Sequence, residues 1–113
     1  MMLVFLRLLL MIFLSCCYTA VNAAPPPQCS IEARTQAKKL LEFHVGKDDR
    51  IEIDSGVFAL ASIRNPANRK QQFAVLEVWG YIYKAQYRMR FIYYRPLDQC
   101  LLMGQEILEF ARL

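Results

Sequence analysis

The sequence has few of the residues from which catalytic and metal sites are usually built. Its 113 residues include one histidine, His44, and four cysteines. It lacks the close cysteine and histidine spacing of zinc motifs, a nucleophile elbow and a glycine-rich phosphate loop. The carboxylates Glu52 and Asp54 alternate along a predicted strand, where solvation is their ordinary state. We therefore predict a non-catalytic protein that holds no metal and no cofactor.

The sequence also lacks a concentrated run of charge of one sign. Its 14 lysines and arginines exceed its 10 aspartates and glutamates only slightly, and both signs are spread along the chain. A nucleic-acid-binding domain usually gathers its positive charge into a patch or a run. We predict no nucleic-acid partner.

Charge is almost absent from the first 23 residues, MMLVFLRLLLMIFLSCCYTAVNA, where Arg7 carries the only charge. An apolar segment covers residues 8–14, and small residues precede Ala24 at the positions that a signal peptidase reads. We predict that residues 1–23 are a cleavable signal peptide and that the protein is exported. The destination is the periplasm if the source is bacterial, and otherwise the protein is secreted.

Two alternatives for this segment stay open. A membrane anchor needs about 20 consecutive apolar residues, and the uninterrupted run here is shorter. A lipoprotein would use Cys16 or Cys17, which follow the apolar segment, but the residues before Cys16 are a poor lipoprotein signal. We predict no membrane span after cleavage.

Removal of 23 of the 113 residues leaves a mature chain of 90 residues, the size of one small domain. Residues 24–28 contain three prolines and form an extended lead-in, and residues 29–113 form a single α+β domain. Two cysteines remain, Cys29 and Cys100. An even pair in an oxidising compartment predicts one disulfide, with two free thiols as the alternative.

The mature chain begins with a helix and continues with strands. Ser30 as N-cap, apolar residues at helical spacing and Gly46 as terminator predict a helix over about 30–45. Alternating patterns predict a strand over about 51–63, interrupted at Gly56, with its odd residues inward. Two further strands follow over about 71–83 and 86–95, with reversals at 65–68 and near Lys84-Ala85.

The segment after Pro96 carries two interpretations. Helical spacing of its apolar residues, with Asp98 in the first turn, predicts a C-terminal helix. The rival interpretation is a short fourth strand at 100–103 followed by a helix from Gln105, because a short apolar run does not separate strand from helix. The fold class is thus α+β: an N-terminal helix, an antiparallel meander of three to four strands and a C-terminal helix, with the helices on one sheet face.

Side-chain parity in the second and third strands predicts a two-faced hairpin. The more apolar rows face the helices, and the other rows meet water on the opposite face. Aromatic and arginine side chains are common at interface hot spots, and they also stack on one another without any partner. The candidate partner-binding residues are Trp79, Tyr81, Tyr83, Arg88, Arg90 and Tyr94.

Three roles for this second face stay open: partner binding, self-association and stabilisation of the sheet alone. We predict a small exported protein that binds a protein or cell-envelope partner, in one form as an inhibitor or immunity protein. The alternative is a structural or assembly component that self-associates, for example as a homodimer, through the same face or through a sheet edge.

Overall fold

A computed structural model describes residues 24–111, and the predicted signal peptide at 1–23 lies outside the described residues. The elements are α1 (Ser30–Val45), β1 (Glu52–Asn65), β2 (Asn68–Ile82), β3 (Ala85–Tyr94), a 3-10 turn (Pro96–Asp98) and β4 (Leu101–Ala111). The four strands form one antiparallel sheet in the order β1-β2-β3-β4, so the topology is a meander. The 3-10 turn connects β3 to β4.

Helix α1 confirms the predicted helix, because the spacing of its small and apolar residues places one stripe against the sheet. Ala33, Ala37 and Leu41 are fully buried along that stripe. Gly46 ends the helix with a φ of 90°, a conformation that glycine adopts without strain. The predicted Ser30 cap is wrong: Ser30 is the first helical residue, and its hydroxyl donates to the Pro27 carbonyl.

The core lies between α1 and one face of the sheet, which we call the helix face. Its fully buried side chains come from the even positions of β2 and the odd positions of β3, as parity predicts: Leu76, Val78, Met89 and Phe91. Gly80 lets α1 approach the sheet, because a Cβ there would lie 2.9 Å from Leu41 Cδ2. The helix therefore rests directly on the C-terminal part of β2.

Strand β1 does not keep one parity along its length. Ile53 and Val57 pair with Gly80 and Val78 on the helix face, as predicted. Register shifts follow, and Ile63 pairs with Phe73 on the opposite face. The prediction that odd residues point inward to the end of this strand is therefore wrong. Between Leu60 and Ile63 the strand advances by three residues against two of β2, which reverses the side to which its later side chains point.

The predicted C-terminal helix is wrong, since residues 101–111 form strand β4. This strand pairs with β3 from Tyr94↔Leu101 to Ala85↔Ala111, with one register shift near Tyr93. The rival interpretation was right that a strand begins here and wrong that a helix follows from Gln105. A full ladder of hydrogen bonds to β3 outweighs the helical spacing of the apolar side chains.

The disulfide predicted from the sequence joins Cys29 to Cys100 across a sequence separation of 71 residues, with the two Cα atoms 5.9 Å apart. Cys29 immediately precedes α1, and Cys100 immediately precedes β4. The bridge therefore fixes the start of the last strand beneath the start of the helix. Over residues 24–111, no helix combines the length and the apolar character that crossing a membrane requires.

Tyr93 makes the stability of the folded protein depend on pH in the alkaline range. Burial, aided by the negative charge of Glu32, raises the Tyr93 pKa to about 12 from its ordinary value of 10.0. The unfolded chain therefore ionises first, so stability is full below about pH 10 and falls as pH rises toward 12. Between pH 9 and pH 11, we expect the free energy of unfolding of the wild type to fall by about 1–2 kcal/mol more than that of Tyr93→Phe, measured by urea unfolding. An unchanged pH dependence in Tyr93→Phe would contradict this assignment.

Candidate functional site

The sheet face opposite α1 is the candidate functional site, and we call it the open face. Cross-strand partners lie on the same face, so the register defines its rows. The rows, read from β1 or β2 to β4, are Leu60–Val75–Ile92–Gly104, Phe58–Glu77–Arg90–Glu106, Trp79–Arg88–Leu108 and Tyr81–Gln86–Phe110. The first of these rows is apolar, the two middle rows carry charge, and the last row continues to Glu52 on β1.

Glu77 organises the centre of the open face. One carboxylate oxygen accepts a hydrogen bond from Arg90 Nε at 2.9 Å, and the other accepts one from Trp79 Nε1 at 3.1 Å. Arg88 Nε lies 4.0 Å from the same carboxylate, and Arg90 also reaches Glu106 at 3.7 Å. The Glu77 side chain is only 13% exposed, so its two hydrogen bonds fix Arg90 and the Trp79 indole in defined positions.

Aromatic rings extend from this charged centre toward the end of β4. The rings of Trp79 and Phe110 lie 5.7 Å apart, and the Arg88 guanidinium lies 5.8 Å from the centre of the Phe110 ring. Arginine over an aromatic ring is a favourable cation–π arrangement. A layer of rings and one guanidinium therefore spans three strands.

A shallow groove of about 310 Å³ opens at the other end of the face. Val75, Ile92 and Gly104 contribute to its apolar lining, while Arg90 and Glu106 supply charged groups beside it. Gly104 has no side chain to fill the space above Ile92, whose Cδ1 would be 3.4 Å from an added Cβ. The groove is large enough for one or two apolar side chains of a partner.

Five of the six candidate residues predicted from the sequence share the open face: Trp79, Tyr81, Arg88, Arg90 and Tyr94. Tyr94 belongs to it through its ring, which meets Phe73 edge-on at 6.1 Å. Tyr83 is not on the face, because β2 ends at Ile82 and Tyr83 occupies the turn with a φ of 53°.

Sequence reasoning missed the part of the site that β4 supplies. Glu106, Leu108 and Phe110 complete three of the rows, yet a predicted helix gave no reason to place them there. Apolar and polar residues do not alternate along this strand, and neither face is fully buried. Leu108 is 47% exposed on the open face, and Glu109 is exposed on the other face. Only the apolar run at 100–103 indicated a strand.

Other candidate sites in the described residues do not assemble catalytic groups. His44 is exposed, and its ring meets Tyr87 edge-on at 5.6 Å. Cys29, Glu32 and Cys100 bring potential metal-ligand atoms within 4.8 Å of one another. Both sulfurs belong to the disulfide, however, and metal binding by cysteine uses the free thiolate.

Glu77 gives a direct test of how the open face is held together. We expect Glu77→Gln to lower the free energy of unfolding by about 1–2 kcal/mol, because it leaves Arg90 and Arg88 without their shared partner. The matched control is Glu106→Gln, whose side chain is 60% exposed and should cost less than about 1 kcal/mol. Urea unfolding measures both variants, and equal losses would contradict a central role for Glu77.

Searches of protein families, curated proteins and solved structures give no match to this chain. The inference of function therefore rests on the geometry of the open face.

Proposed function

We propose that this protein is an exported, non-catalytic binding protein whose open face binds a protein partner. The observation that carries the proposal is that, over residues 24–111, the sheet has a helix on one face only. Domains usually bury a sheet between layers, and a face without a covering layer is normally polar. Here that face carries an extended set of aromatic and aliphatic side chains, so a partner would supply the missing layer.

The composition of the open face supports binding over stabilisation alone. Phe58 is 53% exposed, and Leu108 and Phe110 remain substantially exposed. Tryptophan, tyrosine and arginine are enriched among residues that dominate binding energies, especially where neighbours hold them rigid. Trp79 and Arg90 are held by Glu77, so they lose little conformational freedom when a partner docks.

The partner's contact surface follows from this chemistry. An apolar side chain of the partner fits the groove at Gly104, and hydrogen-bond acceptors of the partner fit the guanidinium groups of Arg88 and Arg90. The Cys29–Cys100 disulfide supports export, because disulfides persist in oxidising compartments. A secreted or periplasmic inhibitor or immunity protein is one form that such a small, cross-linked binding domain takes.

Loss of two large apolar side chains from the open face tests the proposal. The mature protein is immobilised, exposed to an extract from its source organism, and the captured protein is quantified by mass spectrometry. We expect Phe58→Ala/Trp79→Ala to capture at least about tenfold less of the partner than the wild type.

The matched control removes two large apolar side chains from the helix instead. Ile31 and Phe43 are 79% and 91% exposed on α1, so Ile31→Ala/Phe43→Ala should capture as much partner as the wild type. Equal capture by the two double variants would contradict the open face as the binding site. Thermal unfolding followed by circular dichroism verifies that both variants are folded.

A further inference from the structure

In the part of the chain that the structure describes, strand β4 is a free sheet edge that lacks the usual protection against pairing. It is 11 residues long, and it contains neither lysine nor proline, the residues that most often block an edge. Leu101, Met103, Leu108 and Phe110 are exposed along it. Its pairing with β3 is regular from Gly104 to Ala111, so the outer edge of that segment is a regular template for another strand.

The other edge of the sheet, β1, is different. Register shifts interrupt its pairing with β2 at three places, and bulges twist an edge away from regular pairing. It also carries charged side chains near both of its ends, Glu52 and Asp54 at the start and Arg64 at the finish. Protection of β1 and not of β4 makes β4 the edge at which a further strand can add.

The hairpin between β2 and β3 determines which backbone groups of β4 point outward. Ile82 and Ala85 flank a two-residue loop, so they form a hydrogen-bonded pair, and the odd residues of β3 bond to β2. The even residues of β3 therefore bond to β4, at its even positions 104–110. The N–H and C=O groups of Gln105, Ile107 and Glu109 are thus directed toward the free edge.

These outward groups limit how β4 pairs antiparallel with a second copy of itself. Odd residues must face odd residues for the hydrogen bonds to form. One residue therefore lies opposite the same residue of the other copy, and the two-fold axis passes between them. An axis at Glu106 would place two carboxylates directly opposite each other, which is destabilising. An axis at Ile107 instead pairs Gln105 with Glu109, Glu106 with Leu108, and Gly104 with Phe110.

The pairing centred on Ile107 is favourable in charge and in shape. Each carboxylate of β4 has a partner within its own chain: Glu106 contacts Arg90, and Glu109 accepts a hydrogen bond from the Tyr87 hydroxyl. The Phe110 ring would cover Gly104 of the other copy, an arrangement that protects a strand glycine. About six backbone hydrogen bonds would form across the axis.

We propose that the protein forms a two-fold dimer by antiparallel pairing of β4 with β4, centred on Ile107. An axis perpendicular to the sheet makes one continuous eight-stranded sheet with both open faces on the same side. The dimer thereby doubles the surface proposed above, although its formation does not depend on what that surface binds. An interface formed by one strand is small, so the dimer is expected to be weak and concentration-dependent.

Charge substitutions at Leu108 test this register, because Leu108 faces Glu106 of the other copy. Leu108→Lys creates two opposite-charge pairs across the axis, Leu108→Glu creates two like-charge pairs, and Leu108→Gln is the neutral reference. We expect the dissociation constant to increase in the order Lys, Gln, Glu, with about a tenfold difference between the extremes. Sedimentation analysis over roughly 1 μM to 1 mM measures it.

Leu108→Glu is a fair test of association because it should not weaken the fold: within its own chain the new carboxylate lies beside Arg88. Equal dissociation constants for the Lys and Glu variants would overturn the register. A wild-type protein that stays monomeric to about 1 mM would overturn the dimer.

Hydrogen exchange of the wild-type amides provides a second test that needs no substitution. Raising the concentration should slow exchange at Gln105, Ile107 and Glu109, whose N–H groups point outward in the monomer. The amides of Glu106 and Leu108 are bonded to β3 already and should change little. Exchange rates that do not depend on concentration at the three outward amides would overturn the proposal.

Discussion

We expect Cys29→Ala/Cys100→Ala to lower the free energy of unfolding by roughly 4 kcal/mol. The disulfide closes a loop with a sequence separation of 71 residues. Without this cross-link the unfolded chain gains conformational entropy, which stabilises it relative to the folded state by about this amount. A small domain has a total stability of about 5–15 kcal/mol, so the variant would lose a large part of it. Urea unfolding of the oxidised wild type and the double variant measures the difference.

The wild type with its disulfide reduced is the matched control for this variant. Reduced wild type and double variant both lack the cross-link, so their free energies of unfolding should agree to within about 1 kcal/mol. A double variant that is as stable as the oxidised wild type would show that β4 is held in place by its pairing with β3 alone.

Phe91→Ala is the second large effect, with an expected loss of about 3–5 kcal/mol. Phe91 is fully buried at the middle of β3, and its side chain is the largest of those that are completely enclosed between α1 and the sheet. Truncation removes apolar burial and leaves a cavity that α1 cannot fill without leaving its position over Gly80. Chemical denaturation of the folded variant, compared with the wild type, gives the value.

Phe58→Ala is the control for this prediction, since it removes the same side chain from the open face. Phe58 is 53% exposed, so its loss should cost less than about 1 kcal/mol. Comparable losses at positions 58 and 91 would mean that the core is not confined to the helix face.

The helix and the central hairpin were predictable because each buries one regular face. In α1 the spacing of Ala33, Ala37 and Leu41 matches the helical period, and the helix follows from it. In β3 the buried positions alternate strictly, and in β2 they alternate from Leu76 to Gly80, so parity assigned Trp79 and Arg90 to the same side of the sheet. The local sequence pattern predicts an element correctly where one of its faces is buried and the other is exposed to solvent.

The two edge strands were harder to predict because their side chains are less sharply divided between core and solvent. β4 exposes Leu108 on one face and Glu109 on the other, so it carries no alternation, and its apolar spacing also fits a helix. Its strand conformation is imposed by the ladder to β3 and by the cross-link at Cys100. The bulges of β1 likewise depend on pairing with β2, which the order of residues in β1 does not specify.

The same difference explains which parts of the open face were predictable. The place of Arg90 in the Glu77 row was predicted, because Arg90 belongs to the central hairpin. The extension of this row to Glu106, and the stacking of Trp79 on Phe110, required β4 to be a strand. Tyr83 was misplaced by one residue, since the chain reverses at Tyr83 and Lys84 and not at Lys84 and Ala85.

Two exposed phenylalanines on opposite sides of the molecule allow the most direct measurement of partner binding. Phe58 lies on the open face, and Phe43 lies on the outer side of α1, where it is 91% exposed. Each is replaced in turn by a photoreactive phenylalanine analogue, and the protein is irradiated in an extract of its source organism. A covalent adduct with one partner protein from position 58, and none from the more exposed position 43, is the predicted result. An adduct from position 43 and none from position 58 would contradict the open face as the binding surface.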